Sequence, residues 1–161
     1  MPTDLKDPLA MQREQWPETW DAVVMPFVFA LHRAHGKHMK RTAAIAAHHG
    51  LSLSELDVLV AVRRSPRPWV LTPSDLQRSL LLSSGGLTKI LAQLEARGLI
   101  TRLTDDGDRR VKPVQLTDAA LPLIETVLAE SCVDERAWLR ERLSDAQIAE
   151  VTALLARLAE D

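Results

Sequence analysis

The feature that most restricts the fold of this chain is a close succession of start and stop signals between residues 72 and 116. Thr72, Pro73 and Asp75 form a helix start: an N-cap hydroxyl, a proline in the first turn, where its missing N–H loses no bond, and an acid near the positive end of the dipole. That helix reaches about residue 80. After Leu81 and Leu82 a second N-cap follows at Ser83, with Leu82 and Leu87 spaced to close a hydrophobic staple. Leu87, Ile90, Leu91 and Leu94 then recur at i, i+3, i+4 and i+7 until Gly98 stops the helix. Two helices joined by about three residues, the second amphipathic and opened by small polar side chains, make a helix-turn-helix. Residues 99–104 read as a strand, 105–109 as a turn holding Asp106 and Gly107, and 110–116 as a returning strand, so a charged hairpin, a wing, stands beside the second helix.

The flanks are helical. A short helix is expected around residues 9–16, and a long Ala-rich one over residues 18–48, with Pro26 as a kink or restart and Gly50 as its stop. Ser52 and Glu55 form a capping box before Leu56, Leu59 and Val60, and that helix runs to Arg64. The turn 65–68 follows, then a short extended run, 69–71. Thr117 and Asp118 start a helix to about residue 143, with Pro122 near its beginning. Ser144 with Gln147 caps a last helix whose stripe is Val151, Leu155 and Leu158, and Leu143 with Ile148 forms its staple. The expected fold is therefore mainly α with a small β-hairpin wing: a winged helix-turn-helix at residues 51–116 between helices at 1–50 and 117–161.

Length and charge limit what such a fold can do. With 161 residues, 46% of them apolar, the chain can bury a core in one domain of ordinary size. One cysteine, Cys132, excludes an internal disulfide and a Cys-rich metal site, and it reads as a buried apolar thiol. No stretch has the length of a membrane span and the N-terminus lacks signal-peptide character, so a cytoplasmic protein without membrane contact is expected. The net charge is -2, but residues 63–112 carry ten bases against five acids, net +5, and the remainder carries -7. One positive module between negative flanks suits double-stranded DNA as partner, because phosphate attraction is needed on one face only. A winged helix that binds protein instead is the alternative, which a salt titration separates. An enzyme has little support, since neither a Gly-rich phosphate loop nor a paired nucleophile and base is present.

Within the module, Ser83, Ser84, Gly85 and Gly86 are short enough to let backbone approach phosphate, while Thr88 and Lys89 offer donors to base edges. Arg78, Arg109, Lys112, Arg63 and Arg64 are candidate phosphate contacts. His32, His35 and His38 recur along one helix, but with no Cys nearby no metal or other cofactor is expected.

The run LTPSDLQRSLLLSSGGLTKILAQLEARGLITRLTDDGDRRVKPVQLT, residues 71–117, resembles the winged helix-turn-helix of the MarR (multiple-antibiotic-resistance regulator) family of bacterial transcription factors. Asp108 and Arg110 match the family's wing Asp-x-Arg, and Leu116 with Thr117 matches the Leu-Thr before the next helix. The following Asp118, Ala119 and Ala120 depart from the small residue and glycine usual there. The resemblance implies a homodimer held by the N- and C-terminal helices, a ligand-responsive repressor that binds a pseudo-palindromic operator. It implies that Arg110 enters the minor groove, with Asp108 as its orienter. It also implies a small aromatic or anionic effector in a cleft lined by Trp16, Trp20, Phe29, His32, Arg33 and Asp57. The N-terminal Trp, the run at residues 56–59 and the Ser-Ser-Gly-Gly helix start look like the urate-responsive subgroup, from which the chain departs at Ile90, where that subgroup has a ligand-contacting arginine.

Overall fold

The computed structural model describes residues 7–80, 84–103 and 112–160. The chain forms two compact units, residues 1–43 and 44–161.

In the first unit, α1 (Pro8–Gln15) is capped by Asp7, whose carboxylate accepts the Leu9 amide at 3.2 Å. A 3-10 turn, Pro17–Thr19, follows. Asp21 then accepts the amides of Val23 and Val24, each at 2.8 Å, and α2 (Val24–His48) begins there. Those two donors hold the Asp21 carboxyl below the ordinary carboxylate range, the Val24 amide contributing most. The long helix expected from residue 18 therefore starts six residues later. Pro26 falls in its first turn, where no i−4 bond is lost.

Helix α2 continues into the second unit and ends in a Schellman turn. Gly50 sits at φ +70°, its amide donates to Ala47 O at 3.0 Å, and the Leu51 amide donates to Ala46 O at 2.9 Å. An L side chain is strained at that φ, so glycine stands there for conformational reasons. Buried Leu51 anchors the turn in the core.

The remaining elements are α3 (Leu53–Arg64), β1 (Val70–Leu71), α4 (Pro73–Leu80), α5 (Ser84–Ala96), β2 (Ile100–Arg102), β3 (Val114–Leu116), α6 (Ala120–Arg140) and α7 (Asp145–Ala159). The capping boxes at Ser52–Glu55 and Ser144–Gln147 are both formed. Thr72 caps α4, accepting the Asp75 amide at 3.2 Å. Helix α5 ends as α2 does, with Gly98 at φ +67° and the Leu99 amide donating to Leu94 O at 3.0 Å.

The core draws one or two stripes from each element: Val58, Leu59 and Val62 on α3, Leu76 on α4, Leu87, Leu91 and Leu94 on α5, Ile100 and Val114 in the sheet, and Ala120, Ile124 and Val127 on α6. Burying each large side chain contributes roughly 1.5–3 kcal/mol. The wing is anchored by more than a hairpin. The sheet order is β1-β3-β2, all antiparallel, with Leu71 opposite Val114 and Ile100 opposite Leu116. Residues 69–71, read only as an extended run, supply its third strand.

Two expectations are corrected here. Helix α6 begins at Ala120 rather than at Thr117, because the Thr117 hydroxyl donates to Gly98 O at 2.7 Å and closes the end of the sheet instead. Cys132 is exposed, not buried: the inward stripe of α6 runs through Ala120, Ile124, Val127 and Ser131, and Cys132 lies about 100° around the helix from Ser131.

Candidate nucleic-acid interface

Helix α5 is sorted by face. Leu87 and Leu91 are 2% exposed and Leu94 is fully buried, which commits that stripe to α3 and α4. The opposite face, Gly85, Thr88, Lys89, Ala92, Gln93 and Ala96, is exposed. Among the described residues, a Cβ added at Gly85 would meet nothing within 4 Å, so the surface at Gly85 is open. Lys89 and Gln93 are one turn apart on this face. Their donors and acceptor are of the kind that reads guanine and adenine edges, and Ala92 beside them is short enough for a thymine methyl.

Sequence reasoning named Gly85, Thr88 and Lys89 and passed over Ala92 and Gln93. The signal was available: they lie at i+3 and i+4 from Lys89, where helical spacing puts neighbours. Ser83 lies outside the described residues, as do Asp108, Arg109 and Arg110, and of Ser84 only the backbone is described, as the first residue of α5. Lys112 is exposed at the end of the described part of the wing, and Arg78 on α4 is 80% exposed with Asp75 at 3.6 Å.

The positive segment is less uniformly available than its tally suggests. Arg63 pairs with Glu125 on α6 at 2.6 Å, and its guanidinium lies 4.9 Å from the centre of the Trp69 ring. Arg67 covers the same ring at 4.8 Å. Arg97 pairs with Glu55 at 3.0 Å and Arg102 with Glu95 at 3.2 Å. Arg63, read as a phosphate contact, thus joins α3 to α6, and Trp69 makes cation–π contacts with two guanidinium groups.

The six residues of the expected effector cleft fall in two units. Trp16 is 60% exposed; Trp20 and Phe29 are half-buried, and His32 and Arg33 are exposed, all in the first unit. Asp57 lies on α3 in the second. Although Asp57 is at the surface, desolvation around its carboxyl pushes it above the ordinary range, opposed by Arg64. His32 Nδ1 contacts Val28 O at 2.9 Å within its own helix. Among the described residues, no group of three or more His, Cys, Asp or Glu side chains is arranged to hold a metal. Among them, too, no single helix is long and apolar enough to cross a membrane.

Comparison with known proteins places this arrangement. The sequence profile of the MarR family matches residues 49–111. The HTH-type transcriptional regulator PecS of Dickeya dadantii (strain 3937) is 33% identical over 114 residues, 71% of this chain and 68% of PecS. Among solved structures, a cysteine-to-serine mutant of E. coli MarR complexed with operator DNA superposes with a TM-score of 0.74 at 22% identity, over 85% of this chain and 96% of that one. Bordetella bronchiseptica BpsR, studied for regulation of its DNA binding by 6-hydroxynicotinic acid, superposes with a TM-score of 0.72 at 20% identity, over 84% and 99%. At these identities the structural likeness is one of fold.

Proposed function

The chain belongs to the MarR family of DNA-binding transcriptional regulators, and from that premise we propose that it acts as a homodimeric, ligand-responsive repressor on a pseudo-palindromic operator. The observation that carries the reading is the face of α5: Thr88, Lys89 and Gln93 stand exposed beside the open Gly85 while the leucines behind them are buried. Such a face, short at its leading end and donor-rich one turn on, enters a major groove. Ser83, Ser84, Arg78, Arg109 and Lys112 are placed by this reading near phosphate, and Arg110, oriented by Asp108, in the adjoining minor groove.

Two copies are needed because one α5 reads one half-site. Supporting that, Val151, Leu154, Leu155 and Leu158 of α7 are exposed, and so are Val24, Phe27 and Leu31 of α2. An effector acts by favouring dimers whose two reading helices have the wrong spacing, a shift of population rather than a blocked surface. Aromatic planes and charges at Trp16, Trp20, Phe29, His32 and Arg33 of the first unit suit a small aromatic anion. BpsR, of the same fold, has a DNA binding regulated by 6-hydroxynicotinic acid, an effector of that chemistry.

The test is a binding titration on duplexes selected from a randomised pool. Affinity should fall steeply with salt through counterion release. Arg110→Ala should lower it about three- to tenfold without altering the mass of the dimer. Binding that ignores salt, or no duplex bound at low ionic strength, would favour the protein-interaction module instead.

A further inference from the structure

One charged group in the core belongs to neither the reading face nor the apolar stripes. Glu55 on α3 is 7% exposed, and its two carboxylate oxygens have separate uses. Oε2 accepts from the Ser52 amide and the Ser52 hydroxyl, both at 2.8 Å, completing the capping box. Oε1 accepts from Arg97 Nη1 at 3.0 Å, 42 residues along the chain. Arg97 stands just past the C-terminal residue of α5, and Glu55 in the first turn of α3. The negative end of one helix dipole favours the cation and the positive end of the other favours the anion, so the pair is supported at both ends.

On its other flank the same end of α5 is tied to the wing, where Arg102 Nε of β2 lies 3.2 Å from Glu95 Oε2. That Nε is buried and its approach to Glu95 is a charge contact off the hydrogen-bond direction. Among the described residues, α5 has open space at Gly85. Leu87, Leu91 and Leu94 seat α5 in the core along its length, and the two ion pairs fix the angle of its rear. Thr88 and Lys89 lie about 12–13.5 Å along the axis from Arg97 and Gln93 about 6 Å, so a tilt of about 5° at the rear moves them by roughly 1 Å and 0.5 Å respectively. That is enough to break hydrogen bonds to base edges, whose useful range is a few tenths of an ångström.

We propose that Glu55 is a positioning residue for DNA recognition: through Arg97 it sets the angle at which α5 presents Thr88, Lys89 and Gln93 to the groove. This rests on the assignment of α5 as the reading helix and adds the part that aims it. Glu55 is buried and Arg97 is engaged with it, so on this proposal neither reads bases, and losing the pair is expected to weaken discrimination between sequences while leaving phosphate contact intact.

Glu55→Gln isolates the clamp, since glutamine's one carbonyl oxygen still serves a capping box but leaves the guanidinium without a carboxylate. Arg97→Met removes the other half, and Arg97→Lys retains the charge. Anisotropy titrations would use the tightest duplex from a randomised pool and a shuffled duplex of the same composition. They would be run below the melting temperature of every variant, which circular dichroism supplies. Glu55→Gln and Arg97→Met are each expected to lose about tenfold on the selected duplex and less than about twofold on the shuffled one. The double variant should be no worse than either single, and Arg97→Lys should recover most of the affinity.

The salt dependence of all four variants should equal that of the unaltered protein. If Arg97→Met alone weakened both duplexes alike and made the salt dependence shallower, Arg97 would be a phosphate contact and the proposal would fail. Unchanged preference in Glu55→Gln, or no recovery in Arg97→Lys, would overturn it equally. Should the unaltered protein not distinguish the two duplexes, the reading of α5 itself is lost and this proposal with it.

Discussion

Helix α5 turns Leu87, Leu91 and Leu94 inward, none more than 2% exposed, whereas helix α7 leaves Leu154 at 53%, Leu155 at 38% and Leu158 at 64%. Their sequences make much the same statement. Each carries an apolar stripe at helical spacing over 13 and 15 residues respectively, long enough for three turns or more. In α5 the stripe is satisfied within the chain, and the face left over is small and polar. In α7 it is unsatisfied within the chain, and the face left over is leucine. A stripe therefore states that a helix must be covered, without stating by which chain. On the reading advanced above, the two helices divide the work accordingly, one turned outward to DNA and the other to a second copy.

Substitutions at matched positions sharpen this contrast. Leu91→Ala should cost about 2–5 kcal/mol of unfolding free energy, read as a fall in denaturation midpoint that does not depend on protein concentration. Leu155→Asp should instead shift the sedimentation equilibrium towards monomer and change the midpoint only in a concentration-dependent way, an effect of roughly 1.5–3 kcal/mol on association. If Leu155→Asp left a dimer of unchanged affinity, α7 would not be the face that is covered.

A smaller effect is expected on the outward side. Lys89→Ala should weaken binding to the selected duplex by about 1–2 kcal/mol with no change in unfolding midpoint, which a parallel anisotropy and denaturation series would read. Equal loss on a shuffled duplex would make Lys89 a phosphate contact rather than a reader of bases.

The smallest effect is on acid stability. Burial pushes the Glu55 carboxyl up, but the Ser52 amide, the Ser52 hydroxyl and the Arg97 guanidinium outweigh it and hold it below the ordinary glutamate range. A carboxyl whose folded value lies below its unfolded one binds protons more readily when unfolded. Its stabilisation is then full above the unfolded value of about 4.3 and is lost as pH falls through the folded one. Denaturation midpoints should fall below about pH 4.5 with a slope that Glu55→Gln makes shallower. An unchanged slope would mean that Glu55 is not held as described.

Much of the fold was legible because its signals are local. The capping boxes at Ser52 and Ser144, the N-cap at Thr72 and the stops at Gly50 and Gly98 each depend on residues within one turn, and each is formed. Errors arose where two local signals competed. Asp21 captured the amides of Val23 and Val24 and so displaced the start expected at residue 18, and Thr117 closed the sheet instead of opening a helix. Of the exposed face of α5, Gly85, Thr88 and Lys89 followed from the helix start and its polar side chains, while Gln93, at i+4 from Lys89, was legible from helical spacing and was passed over.

Sequence by itself determined which segments are helices, where most of them stop, and that α4, α5, β2 and β3 follow one another in the middle of the chain. Those properties come from backbone bonds and apolar spacing over a few residues. Only the tertiary structure decided which charges are available. Arg63, Arg97 and Arg102 count towards the positive segment, yet each is bound to a carboxylate, Arg63 to one 62 residues away and Arg97 to one 42 residues away. The pairing of β1 with β3 and the exposure of Cys132 were decided there as well. The physical reason is common to all of them: a side chain's partner at long separation is chosen by packing, which brings together residues that carry no mark of each other in the chain.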